Sequence, residues 1–154
     1  AKLHPGSARD RLISDRRQID NELNILLAED NAINQIVTKK MLNKLGYQAD
    51  VAASGIEAIQ ALERKRYDII FMDVQMPEMD GYEATRHIRD PYSSVRNHHI
   101  PVIALTASVI RSDLDKCKEA GMDDYVPKPF RVNELISAIA RSTAEGRNNF
   151  KAHA

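Results

Sequence analysis

Asp68-Ile69-Ile70-Phe71-Met72-Asp73 is an apolar run that closes on a carboxylate, and Val74-Gln75-Met76-Pro77-Glu78-Met79-Asp80-Gly81 follows it. The run has no polar face, so it reads as a strand buried on both sides, as in a parallel sheet. Pro77 and Gly81 mark the connection after it as a loop. The same design recurs on either side. Asn24-Ile25-Leu26-Leu27-Ala28 ends on Glu29-Asp30, and residues 101–105 end at Thr106. Shorter strands are expected over 48–52 and over 124–127, the latter meeting Lys128-Pro129-Phe130.

Helical spacing fills the intervals. Ile33, Ile36, Val37, Met41, Leu42 and Leu45 recur every three or four residues, behind a capping Asp30 or Asn31 and ahead of Gly46. Further helices are expected over 56–65, 82–89, 108–120 (stopping at Gly121) and 132–141. Strict alternation of strand and helix implies an α/β fold, a doubly wound five-stranded parallel sheet with helices on both faces. Residues 1–22 are polar with no sustained period and read as a linker or flank. Residues 23–141 form the domain, and 142–154 read as a flexible C-terminal tail. The polar loop over 90–99 is longer than the connection requires.

The 154 residues are 43% apolar and 29% charged, a globular composition for one domain. Formal net charge is zero; residues 23–140 hold 14 basic and 17 acidic side chains. That lacks the basic excess common in proteins that grip nucleic acid, so no nucleic-acid partner is expected. A single cysteine, Cys117, excludes an internal disulfide and a zinc site built on several thiolates. No apolar run approaches the ~18 residues of a membrane span, and no signal-peptide core is present; no membrane contact and a cytoplasmic setting are expected.

Ligands of open α/β sheets bind outside the carboxyl ends of the strands. Glu29, Asp30, Asp73, Thr106 and Lys128 all fall there. Three carboxylates gathered on one rim repel unless a cation lies among them, and an all-oxygen set suits a hard ion such as Mg²⁺. With the charge neutralised, one carboxylate oxygen could attack phosphorus, while Lys128 and Thr106 contact phosphoryl oxygens. His98-His99, adjacent in a polar loop, read as solvated side chains, and Met72, Met76 and Met79 as packing and loop residues.

Ala28-Glu29-Asp30-Asn31, Phe71-Met72-Asp73-Val74-Gln75-Met76-Pro77, Leu105-Thr106-Ala107 and Lys128-Pro129-Phe130 resemble, in order, the motifs of response-regulator receiver domains. The resemblance covers about residues 23–141. Asn31-Ala32-Ile33-Asn34 and Ile103-Ala104-Leu105-Thr106-Ala107 look like the receivers fused to hybrid sensor histidine kinases. The resemblance implies a flavodoxin-like sheet of strand order 2-1-3-4-5. It implies Asp73 as phospho-acceptor, taking its phosphoryl group from the phosphohistidine of a kinase or a histidine-phosphotransfer domain. It implies Mg²⁺ held by Glu29, Asp30, Asp73 and the backbone carbonyl of Gln75. It implies Lys128 as the phosphoryl-contacting lysine with a cis bond to Pro129, Thr106 as the switch hydroxyl and Tyr125 as the switch aromatic. Many family members carry Asp where this chain has Glu29; the longer side chain would reach the ion directly or through water.

Two further expectations concern surroundings. Val37, Met41 and Leu45 facing the sheet would turn Ile33 and Ile36 outward, as a docking pair for a helical phosphotransfer partner. Gln75 and Ser108 would flank the path of the hydrolytic water and tune phospho-Asp73 lifetime. A competing reading is a Mg²⁺-dependent aspartyl-phosphate phosphatase or phosphotransferase acting on small molecules. Such enzymes place a second Asp two positions after the nucleophile as general acid, and here that position is Gln75. A nucleotide or flavin module is disfavoured by the absence of glycine-rich phosphate motifs and of Trp.

Overall fold

The structure is a computed structural model and describes residues 23–143 and Phe150. The expected linker over 1–22 lies outside the described residues, as does the expected tail apart from 142–143 and Phe150. Five strands alternate with five helices: β1 (Ile25–Ala28), α1 (Ala32–Lys44), β2 (Ala49–Ala52), α2 (Gly55–Arg64), β3 (Ile69–Asp73), α3 (Gly81–Arg89), β4 (Val102–Thr106), α4 (Arg111–Ala120), β5 (Asp124–Pro127) and α5 (Val132–Thr143). All pairings are parallel and the order is β2-β1-β3-β4-β5, as the alternation and the resemblance implied.

The three central strands are buried along their whole length. Alternate residues divide two cores. Leu26, Ile70, Met72 and Val102 meet Ile59, Leu62, Ile88 and Cys117 on the side of α2, α3 and α4. Ile25, Leu27, Phe71, Ile103 and Leu105 meet Leu42, Leu135 and Ile139 on the side of α1 and α5. Among the described residues no helix is long and apolar enough to cross a membrane.

Three helices start on side-chain caps: Asn31, Ser54 and Asp80 accept the N–H of Asn34, Glu57 and Glu83. The fourth has none and begins at Arg111, three residues later than its spacing predicts. The reason is local. Thr106 Oγ1 accepts the Ser108 N–H (3.1 Å) and donates to the Ser108 carbonyl (3.0 Å), holding that stretch out of the helix.

The helix-face expectation for α1 needs correction. Thr38 and Leu42 are its buried residues, Met41 and Leu45 are half-buried, and Val37 is 44% exposed. The stripe facing the sheet is rotated by one residue, because the hydroxyl-bearing Thr38 replaces Val37 on it. Ile33 and Ile36 do turn outward, at 71% and 57% exposure.

The long 90–99 loop has a physical role. Arg96 donates its backbone N–H to the Leu62 carbonyl (3.1 Å) and its Nε to the Glu63 carbonyl (3.0 Å). Those carbonyls belong to the last turn of α2, which lacks helical partners for them. Val95 is buried, and Arg89 ties the loop to the α4–β5 connection through the His98 and Gly121 carbonyls.

Candidate functional site

Parallel pairing brings the carboxyl ends of β1, β3, β4 and β5 to one rim. There the chain places Glu29 and Asp30 just past β1, Asp73 as the last residue of β3, Thr106 as the last of β4, and Lys128 just past β5. Carboxylate oxygens of Glu29, Asp30 and Asp73 lie within 4.8 Å of one another. Lys128 Nζ stands 3.2 Å from Asp73 Oδ1 and 3.5 Å from Glu29 Oε1. The Lys128–Pro129 peptide is cis.

Each group is held by its local backbone. Gln75 donates its N–H to Asp73 Oδ1 (3.2 Å), so that oxygen receives two donors. Asn31 donates its N–H to Glu29 Oε2 (3.4 Å). Lys128 donates its own N–H to the Thr106 carbonyl (2.7 Å), locking the β5 exit to the β4 end. Gly81, behind the loop, permits a close approach: a Cβ there would lie 2.5 Å from the Asp73 carbonyl oxygen.

Asp73, Glu29 and Thr106 are buried, Asp30 is exposed, and Lys128 is half-buried. Burial pushes the Glu29 carboxyl above its usual range; its hydrogen bond with Asp73 and repulsion from the Asp73 charge push the same way. The Lys128 ammonium and the Asn31 N–H oppose that rise. Three converging carboxylates, with no nitrogen or sulfur donor in the cluster, form a donor set for a hard divalent cation. A cleft of about 580 Å³ opens over Asp73, walled by Gln75, Thr106, Ser108, Lys116 and Lys128.

Glu29, Asp30, Asp73 and Lys128 are thus brought together, with Thr106, Gln75 and Ser108 on the cleft wall. Tyr125 lies one strand position before Val126 on β5, buried on the α4 side rather than in the cleft. Ile33 and Ile36 are on the outer surface of α1. Sequence reasoning missed Gln35, whose side-chain amide donates to the Glu29 carbonyl (2.7 Å) and anchors α1 under the acidic pair. It also missed Lys116, a cation on the cleft wall. Nothing in spacing singles out Gln35; Lys116 was readable only as one polar residue of an amphipathic helix.

Comparison with known proteins agrees with this geometry. The family model described as "Response regulator receiver domain" matches residues 25–140. The chain is 39% identical over 135 residues to "Histidine kinase 3" of Arabidopsis thaliana, covering 76% of this chain and 13% of that protein. It is 40% identical over 120 residues to "Hybrid signal transduction histidine kinase B" of Dictyostelium discoideum, covering 73% of this chain and 6% of that protein. The chain therefore spans only a small part of these relatives.

Among solved structures, it resembles the receiver domain of a sensor histidine kinase from Pseudomonas aeruginosa, with magnesium coordinated in the active site cleft. The TM-score is 0.71 at 44% identity, over 79% of this chain and 98% of that one. It also resembles a receiver domain from Saccharomyces cerevisiae co-crystallised with the histidine phosphotransfer signaling protein Ypd1. There the TM-score is 0.69 at 31% identity, over 79% of this chain and 88% of that one.

Proposed function

The chain belongs to the response regulator receiver domain family, and on that premise we propose that it accepts a phosphoryl group from a phosphohistidine onto Asp73, as one relay station of a two-component phosphorelay. The observation that carries the reading is the Asp73 carboxylate. It is buried at a strand end, within reach of two further carboxylates, and paired at 3.2 Å with Lys128.

Asp73 Oδ1 is engaged by Lys128 and by the Gln75 N–H, so attack is assigned to Oδ2. Oδ2 forms the new bond to phosphorus as the bond from phosphorus to the donor imidazole nitrogen breaks. The electron pair of the broken bond returns to the imidazole, which then takes up a proton. Glu29, Asp30, Asp73 and the Gln75 carbonyl would hold Mg²⁺, which when bound offsets the charge of the carboxylates and the transferring phosphoryl oxygens. Lys128 moves its contact to a phosphoryl oxygen, and Thr106 gives up its bond to the Ser108 carbonyl to donate to another. Movement of Thr106 and Tyr125 then biases the α4 side of the domain between two states.

The receiver unit is taken as residues 23–141. The magnesium-containing neighbour supports the cofactor, and the neighbour bound to a histidine phosphotransfer protein supports a partner of that kind. The relatives support placement within a hybrid histidine kinase.

Intact-mass measurement with Mg²⁺ and acetyl phosphate tests the reading. A phosphoryl adduct that needs Mg²⁺ and is absent in Asp73→Asn is expected. An adduct that persists in Asp73→Asn would overturn the assignment. Absence of both adduct and Mg²⁺ binding would make the domain a docking module without the chemistry.

A further inference from the structure

Phe150 lies beyond the end of α5, yet it is only 8% exposed. Its ring centre is 5.3 Å from that of Tyr125, with the planes tilted by 45°. Helix α5 buries Leu135, Ala138 and Ile139 in the core it shares with α1. Phe150 belongs to the opposite core, with Tyr125, Cys117 and Met122. Strand β5 is the edge of the sheet, so Phe150 sits around that edge from the face that α5 covers. A cleft of about 540 Å³ adjoins it, walled by Val109, Leu114, Lys118 and Pro127.

The Phe150 ring rests on Tyr125, whose strand pairs with the one that ends at Thr106. Tyr125 pairs with Ala104 in register, two positions before Thr106 on β4. Thr106 is tethered to Ser108 by two hydrogen bonds that a phosphoryl group would have to rearrange. A Tyr125 ring that followed Thr106 would leave the Phe150 ring without its partner, and opening a gap of even about an ångström between two rings forfeits much of their attraction.

We propose that Phe150 is an intramolecular latch on the α4–β5 face: seated on Tyr125 it favours the unphosphorylated state, and phosphorylation of Asp73 releases it. The proposal rests on the phospho-acceptor reading above. Coupling between the two events is reciprocal at equilibrium, and the latched chain is the slow one to phosphorylate, so the uptake rate scales with the fraction of chain in which Phe150 is unseated. The occupant of this face is thus a residue of the chain itself, and a partner that uses the face competes with it.

The test uses the whole chain labelled with ¹³C in its phenylalanine rings. There are three phenylalanines, and Phe71 in the core serves as the internal reference. In the untreated chain the Phe150 ring should be shielded from a soluble paramagnetic probe. After phosphorylation by acetyl phosphate, verified by mass, it should become accessible while Phe71 does not. Phe150→Ala should raise the initial rate of phosphoryl uptake about fivefold, the lower end of ordinary allosteric coupling. Phe150→Leu, which keeps most of the buried volume, should raise it less. A Phe150 ring that stays shielded in chain shown by mass to be phosphorylated overturns the latch, as does an uptake rate unchanged in Phe150→Ala. Failure of the wild-type chain to take up phosphoryl at all overturns the Asp73 reading and the coupling with it. That outcome is read from mass alone, apart from the ring measurement.

Discussion

Lys128 Nζ is shared between Asp73 Oδ1 at 3.2 Å and Glu29 Oε1 at 3.5 Å, so one ammonium holds together two buried carboxylates from different strand ends. The same arrangement makes the ammonium a competitor of any cation in the cluster and a ready partner for an incoming phosphoryl oxygen. Lys128→Ala should therefore separate two properties. Mg²⁺ affinity should rise several-fold, because a positive charge within about 4 Å of two donors is removed. Phosphoryl uptake from acetyl phosphate should fall by about 10²-fold, the scale for losing one donor to developing charge. Titration calorimetry and mass kinetics measure the two; a parallel loss of both would contradict this division of roles.

Glu29 carries a second consequence. Its folded-state pKa is raised, so without metal folding stabilises the protonated form relative to the charged one. That contribution to stability is complete below the ordinary Glu range and is lost as pH rises through the raised value. Glu29→Gln mimics the protonated state. At pH 7 and without Mg²⁺ it should stabilise the domain by about 1 kcal/mol, the order of a screened like-charge contact. The gain should vanish below about pH 4, where the wild-type carboxyl is protonated in both states. With Mg²⁺ the order should invert, because the variant loses a charged oxygen donor to the ion. Thermal melting at two pH values, with and without Mg²⁺, checks both signs.

The parts that were legible share one cause. Ile69–Asp73, Glu29-Asp30, Thr106 and Lys128 could be placed because in a parallel sheet every strand points the same way. Strand ends read from apolar runs must then meet on one rim. What was not legible depends on side chains choosing between local partners. The late start of α4 follows from Thr106 bonding to Ser108, and the one-residue rotation of α1 from Thr38 taking the buried place of Val37. Gln35 under Glu29 and Arg96 on the end of α2 are contacts between residues whose types carry no pattern. Phe150 falls within the polar tail, where one aromatic gives no period.

Ile33 and Ile36 present 71% and 57% of their surface beside the rim, next to the half-buried Gln35. Such exposure means the fold does not need them, and substitutions there should shift stability by less than about 0.5 kcal/mol. Changing both to Asp should slow phosphoryl transfer from a phosphohistidine protein at least about tenfold, the loss of a small apolar anchor. Uptake from acetyl phosphate should be unchanged, since a small donor needs no docking surface. Parallel rate measurements decide; equal losses with both donors would place these residues in the chemistry or the fold instead.

Gly81 tests how tightly Asp73 is positioned. A Cβ there would lie 2.5 Å from the Asp73 carbonyl oxygen and 2.9 Å from Val74 Cα, both backbone atoms that cannot rotate away. The Gly81 N–H also donates to the Val74 carbonyl at 2.8 Å, so the helix start and the strand end are fixed to each other. Gly81→Ala must push the end of β3 or the start of α3, at a cost of about 1–3 kcal/mol. Any shift of β3 moves Asp73 relative to Lys128, whose own position is tied to Thr106 and not to Gly81. Phosphoryl uptake should then fall by more than the lost stability explains, and it should stay low at temperatures where the variant is fully folded. Recovery of wild-type uptake once folding is complete would mean that the close approach serves packing alone.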